Sequence, residues 1–305
     1  MRRLAATALS ALAVVGCATA PPPEPVVAYV PPSVATATPA PPPPPPKPPE
    51  VPGGMQWLYG AAEGAAASVQ TYRAFEQYVR DAVRRRPARS VVLSPGASLA
   101  DPRFADCGRK PFAVILDADE TAVQNQGLEH ALAARGVSSD RAVLNRWQER
   151  ARTSGQPAMP GATEALRDLR ALGVTVIFNT NRDSPNAAAT AAGLNAAGVG
   201  PAEHLKTLFL RGDVDGKSGK DGRRWHIAST YCVVAMAGDQ MGDFTDLLNA
   251  QGLAPLERRR LATSGAVGGL WGNGWFLLSN PVYGPGLRGT IEEVFAPENR
   301  WDGDK

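Results

Sequence analysis

The sequence predicts an α/β fold, a parallel sheet covered by helices on both faces. Two observations carry that reading: short apolar runs alternate with alanine-rich helical stretches, and each run ends in a polar cluster. Strands of that kind separated by helices form parallel sheets, whose chemistry lies outside the carboxyl ends of the strands. A modest helical cap and a disordered proline-rich tether ahead of the domain complete the expected architecture.

The chain opens with Arg2 and Arg3 and then about a dozen apolar or small residues, too few to span a bilayer but suited to a secretory signal. Val14, Val15, Gly16 and Cys17 resemble the bacterial lipobox, which makes residues 1–17 a lipoprotein signal peptide and Cys17 the lipidated anchor. In such lipoproteins Ala18, rather than an aspartate, suggests the outer membrane, facing the periplasm or the cell exterior. A plain signal peptide with an incidental cysteine is the alternative. Residues 18–54 are dominated by proline, alanine and valine, with an unbroken run from Pro41 to Pro46. They cannot bury a core and read as a stiff, extended tether.

The body of the chain spans residues 55–300. From Met55 to Arg86 apolar residues recur at three and four, with Trp57, Tyr72, Phe75 and Tyr78 on the stripe, as in an amphipathic helix. Four strands follow: "FAVIL" before Asp117, "VTVIF" before Asn179 and Thr180, "LFL" before Arg211, and "YCVVAMA" before Gly238 and Asp239. The fifty-odd residues between the first two motifs read as helical and include Trp147, which makes any cap small. Composition is that of an ordinary globular protein, 44% apolar and 20% charged, and a net charge of +3 gives no case for nucleic acid. It sets no oligomeric state. Apart from Cys17 the only cysteines are Cys107 and Cys232, an even pair in an oxidising compartment, either bridged or left as two buried thiols.

The stretch "AVILDADETAVQN" puts Asp117, Asp119 and Thr121 on alternate positions, so in an extended segment they face one pocket. Alone, Asp-x-Asp-x-Thr is a weak signal. Its context is specific: a strand ending Thr180-Asn181-Arg182 comes next, then Lys220 in "KSGKDGRR", then "GDQMGDF". This ordered set resembles the haloacid dehalogenase (HAD) superfamily of phosphohydrolases. "ILDADETAVQN", "MPGATEALRDLRALGVTVIFNTNR", "AGDQMGDF" and "WFLLSNPVYG" further resemble the class C acid phosphatases, secreted bacterial enzymes that include outer-membrane lipoprotein 5'-nucleotidases. The likeness covers nearly all of residues 55–295, with Leu128 standing where the family usually has an aromatic.

The resemblance implies a HAD-like sheet and a Mg2+-dependent acid phosphatase acting on phosphate monoesters, nucleoside 5'-monophosphates among them. By it, Asp117 is nucleophile and metal ligand, Asp119 is the acid and base and reaches the metal through its backbone carbonyl, and Asp239 and Asp243 complete the metal set. Thr180 and Lys220 hold the phosphoryl oxygens, Asn181 and Arg182 join Thr180 on the substrate side, and Tyr283 offers its ring to the leaving group. Lys217 competes with Lys220 for the motif lysine; Thr180 could simply end a strand, and Tyr283 could simply pack. Asp246 reads as a surface residue on a helix opened by Asp243, with a ligand as the alternative, and His130, His204 and His226 match no motif. "GDVDGKSGK" misses the phosphate-loop spacing by one residue, so no ATPase is implied. The rivals are a phosphotransferase on the same fold and a non-catalytic ligand-binding lipoprotein; the second would be marked by a missing motif carboxylate, and all are present.

Overall fold

The computed structural model describes residues 50–250, 252–301 and 303, and the residues from Pro48 onward form one compact unit. The expected signal peptide, Cys17 and most of the tether lie outside the described residues. Five parallel strands form the main sheet in the order β5-β4-β3-β6-β7, and β1 (Arg89–Leu93) pairs antiparallel with β2 (Phe104–Asp106) beside it. The central strands β3 (Phe112–Leu116) and β6 (Cys232–Gly238) are the apolar runs read from the sequence, and all seven residues of β6 are buried. Two elements escaped that reading: the β1–β2 pair and β7 (Trp275–Leu277), a fifth strand of only three residues.

Side-chain alternation along β3 splits the core into two layers. Val114 and Leu116 face one layer with Tyr72, Phe75 and Val79 of the helix Ala62–Arg85, Leu166 and Leu169 of the helix Ala162–Ala171, and Leu194 of the helix Ala187–Ala196. Ala113 and Ile115 face the other with β1, Ile227 of the helix Asp221–Thr230, Phe244 and Trp275. The chain runs from β3 out to β4 (Thr175–Asp183) and β5 (Leu208–Arg211), then crosses back to β6 on the other side of β3. The carboxyl ends of β3 and β6 therefore flank the switch point, where ligands bind in open α/β sheets.

The opposite end of these two strands is tied covalently. Cys107 and Cys232 are joined by a disulfide with a Cα–Cα distance of 4.5 Å, and Cys232 stands in register with Phe112 at the start of β3. Between β3 and β4 lies the expected small cap. It consists of the helices Gln126–Ala133 and Arg141–Ser154, whose Leu128, Leu132 and Val143 make a cluster of their own. Asp140 starts the second helix by accepting from Ala142 N at 2.8 Å and Val143 N at 3.0 Å. Gly127 lets the two helices close: a Cβ there would lie 2.4 Å from the Trp147 ring.

Candidate active site

Asp117 is the first residue beyond β3, and the strand does not continue through the motif. The alternation expected for Asp117, Asp119 and Thr121 is replaced by a tight turn in which Glu120 takes a left-handed φ of 49°. That conformation is unfavourable for a non-glycine residue and persists only where its surroundings over-determine it. They do so here. The buried Glu120 carboxylate accepts from Asn125 N at 2.6 Å, Asn125 Nδ2 at 2.9 Å, the Tyr59 hydroxyl at 3.0 Å and the Tyr283 hydroxyl. The turn aims Asp117 and Thr121 at β6 and Asp119 at β4.

At β6 three carboxylates converge: Asp117, Asp239 and Asp243 offer oxygens that all lie within 4.8 Å of one another. Gly238 permits this, since a Cβ there would sit 2.2 Å from the Asp243 Cβ. Asp243 ends a 3-10 turn, Met241–Asp243, instead of opening a helix, and its Oδ2 accepts from Gln240 N at 2.8 Å. Asp239 is fixed by Gln240 Nε2 at 2.9 Å, Asn280 Nδ2 at 2.8 Å and Thr121 Oγ1 at 3.3 Å.

Lys220, not Lys217, reaches this cluster. Its ammonium lies 2.5 Å from Asp117 Oδ1 and 2.6 Å from Asp243 Oδ1, while Lys217 is exposed. Burial works against its charge, but the two aspartates outweigh it and raise its pKa. One ammonium cannot balance three carboxylates. Burial raises the Asp117 pKa to about 7 against the pull of Lys220, with Asp243 and Asp119 adding to the rise, and burial with Asp243 and Asp117 pushes Asp239 well up. The excess of two negative charges on hard oxygen ligands fits a divalent cation such as Mg2+.

Asp119 belongs to a separate pair. Arg182 Nη2 lies 2.6 Å from its Oδ1, and Asn125 Nδ2 donates to the same oxygen at 2.7 Å. Burial would raise this carboxyl, but Arg182 and Asn125 outweigh it and hold it below the usual range. Arg182 is itself steadied by Gln156 Oε1 at 2.9 Å.

Thr180 is fully buried behind these groups. Its Oγ1 accepts from Arg182 N at 3.2 Å, and among the described residues nothing accepts its own hydroxyl hydrogen; Asn181 and Arg182 line the cavity in front of it. Asp246 is more than a surface residue. Its carboxylate accepts from Lys220 N at 3.0 Å and Asp221 N at 2.9 Å, pinning the loop that delivers Lys220. Arg223, which sequence reasoning missed, binds the Thr180 carbonyl, Asn181 Oδ1 at 2.6 Å and the carbonyls of Ser218 and Gly219 at 3.2 Å. It thereby joins the end of β4 to the lysine loop, and only its place three residues after Lys220 hinted at this. Of the histidines, His204 pairs with Asp213 and His226 packs on Phe209, both away from the cavity.

These groups line a cavity of about 950 Å³, roofed by Leu128, Leu132, Leu144 and Trp147 of the cap and closed at one side by Tyr283. Four acidic side chains, a buried lysine and a buried arginine at the switch point suit the transfer of a dianionic phosphoryl group.

Comparison with known proteins agrees. The family described as HAD superfamily, subfamily IIIB (Acid phosphatase), matches residues 60–286. The class C acid phosphatase from Bacillus anthracis superposes with a TM-score of 0.61 at 22% identity, covering 76% of this chain and 84% of that one, and its tungstate-bound form gives the same figures. At that identity the likeness is one of fold. No curated protein matches the sequence. With three quarters of its length inside the family match, the chain belongs to the acid phosphatases of subfamily IIIB of the HAD superfamily and is a phosphomonoesterase.

Proposed function

We propose that the protein hydrolyses phosphate monoesters, nucleoside 5'-monophosphates among them, through an aspartyl-phosphate formed on Asp117. The observation that carries this reading is the placement of Asp117 against Lys220 and two further carboxylates at the switch point. Asp117 Oδ attacks phosphorus, and the bond to the ester oxygen breaks with its electron pair going to the leaving oxygen, which takes the proton that Asp119 carries in its protonated form. Arg182 and Asn125 favour the ionised form, so this route is favoured at acid pH. Water then attacks the same phosphorus and gives a proton to Asp119. The bond to Asp117 breaks, releasing inorganic phosphate and restoring the carboxylate. Lys220 and the Thr180 hydroxyl hold the phosphoryl oxygens as charge shifts onto them.

Asp117, Asp239 and Asp243 would hold Mg2+, with the Asp119 carbonyl as a further ligand; when bound, the ion neutralises the approach of one anion to another. Tyr283 is tied through its hydroxyl to Glu120, so its ring is held at the cavity wall for the leaving group. A lipid on Cys17 and the proline-rich tether would place the domain at the outer membrane; among the described residues no helix is long and apolar enough to cross one. The test is phosphate release from a panel of monoesters with and without Mg2+ after chelation. Metal-dependent release is expected, and no release from any ester would overturn the reading.

A further inference from the structure

The cavity is electrically two-sided. Its floor carries Lys220 and Arg182 and takes the phosphate; among the described residues, the cap that forms its roof contributes Glu129 and Asp140 and no lysine or arginine to the lining. Asp140 is occupied with the start of its helix. Glu129 has no such task. It is 5% exposed, lines the cavity, and among the described residues no donor or cation reaches its carboxylate. The charge it faces is another acid, Glu120, whose own bonds go to Tyr59, Tyr283 and Asn125.

A buried carboxylate without a counter-charge is unfavourable and is relieved by a proton or a cation. Burial first, and then Glu120, raise Glu129 to about 7, so near neutral pH it is poised to accept either. A neutral hydroxyl on a ligand could bond to it but would leave the repulsion from Glu120 standing. A ligand cation answers both, and the rings of Trp147 and Tyr283 on the same lining attract ammonium groups as well.

We propose that Glu129 determines specificity in this site, selecting phosphate monoesters whose alcohol carries an ammonium group. The inference rests on the phosphomonoesterase reading above and adds the substrate class: a zwitterion with its phosphate on the floor and its ammonium against the roof. Glu129 acts on binding rather than on the bond broken, so its effect falls mainly on KM.

The test compares kcat/KM for phosphoethanolamine and for propyl phosphate, which has a methyl group in place of the ammonium, using the metal-loaded full chain. The wild type is expected to favour phosphoethanolamine by about tenfold or more, through KM, and Glu129→Gln to bring the ratio close to one, as loss of a charge pair worth about 1.4 kcal/mol requires. A wild-type ratio near one, a ratio unchanged in the variant, or equal losses on both esters would overturn the inference. As a check independent of the variant's folding, ethanolamine should inhibit wild-type turnover of nitrophenyl phosphate at about a tenth of the concentration of 1-propanol that does so. Equal inhibition by the two alcohols counts against it. Turnover of propyl and nitrophenyl phosphates without ammonium preference sinks this inference alone, whereas no turnover of any ester sinks the phosphatase reading with it.

Discussion

Arg182 grips Asp119 on both of its oxygens, with Nη2 at 2.6 Å from Oδ1 and Nε at 3.1 Å from Oδ1 and Oδ2. The arginine is almost wholly buried, while about a quarter of the aspartate side chain, 26%, faces the cavity. Arg182→Gln is therefore expected to lower stability by about 2 kcal/mol, less than removal of one partner from a fully buried pair. Asp119 also loses its orientation, so turnover of alkyl phosphates should fall further than that of nitrophenyl phosphate, whose leaving group needs no proton. Denaturant unfolding and single-turnover phosphorylation of the two ester classes check both; equal losses on the two classes count against Asp119 as proton donor.

Asp117→Asn keeps the shape of the side chain and removes the nucleophile. Activity should fall by roughly 10³-fold or more. Lys220 keeps its contact with Asp243, so the melting temperature is expected to stay within about 2–4 °C of the wild type, the shift of roughly 1 kcal/mol in a domain of this size. A folded variant with near-normal turnover would falsify the assignment.

Gly238→Ala tests the acidic cluster without touching a carboxylate. The added methyl would meet the Asp243 side chain, so Asp243 must shift, at a penalty of about 1–3 kcal/mol for overpacking. The concentration of Mg2+ needed for half-maximal activity should rise by about tenfold or more. Gly53→Ala, with nothing within 4 Å of the new methyl, is the control. Identical metal dependence in both variants would show that Asp243 does not hold the ion.

The disulfide sits at the other end of β3 and β6 from the site. Replacing Cys107 and Cys232 together by serine is expected to lower stability by about 2–4 kcal/mol, since the bridge spans 125 residues of chain. kcat at 25 °C should stay within about twofold. Denaturant midpoints and initial rates separate the two effects.

Glu129 gives the pH dependence its sign. A carboxyl whose pKa is raised on folding adds stability that is fully present below its unfolded pKa and is lost as the pH climbs through the folded value, here about 7. Glu129→Gln should therefore melt higher than the wild type at pH 8, by about 2–4 °C, and the gap should close toward pH 5. Glu120 is the charge it senses, and it remains in the variant. A gap that widens toward acid pH would mean that Glu129 is ionised and paired.

Much of this was legible in the sequence because buried strands announce themselves. "FAVIL" and "YCVVAMA" are largely apolar; the first stops at Asp117 and the second one glycine before Asp239, the aspartates that the sheet delivers to the site. β7 was not legible: three residues, Trp275–Leu277, are too few for any period, and only pairing with Met236 through Gly238 makes them a strand. The direction of the motif side chains was not legible either, since alternation fails once Glu120 turns left-handed, and that turn depends on Tyr59 and Tyr283 from distant parts of the chain. Glu129 did leave a trace. It lies between Leu128 and Leu132, an acid beside the apolar stripe of a cap helix.

The cap's separate cluster of Leu128, Leu132 and Val143 makes the roof an interchangeable part. It enters after β3 and returns before β4, so its exchange does not require a change in strand register, provided that the packing of its second helix on the helix Ala187–Ala196 is kept. An engineer could graft a different roof between Asn125 and Gln156 and retune which alcohol is accepted. The two residues at the splice points would have to stay, because Asn125 and Gln156 hold Asp119 and Arg182 from the roof side.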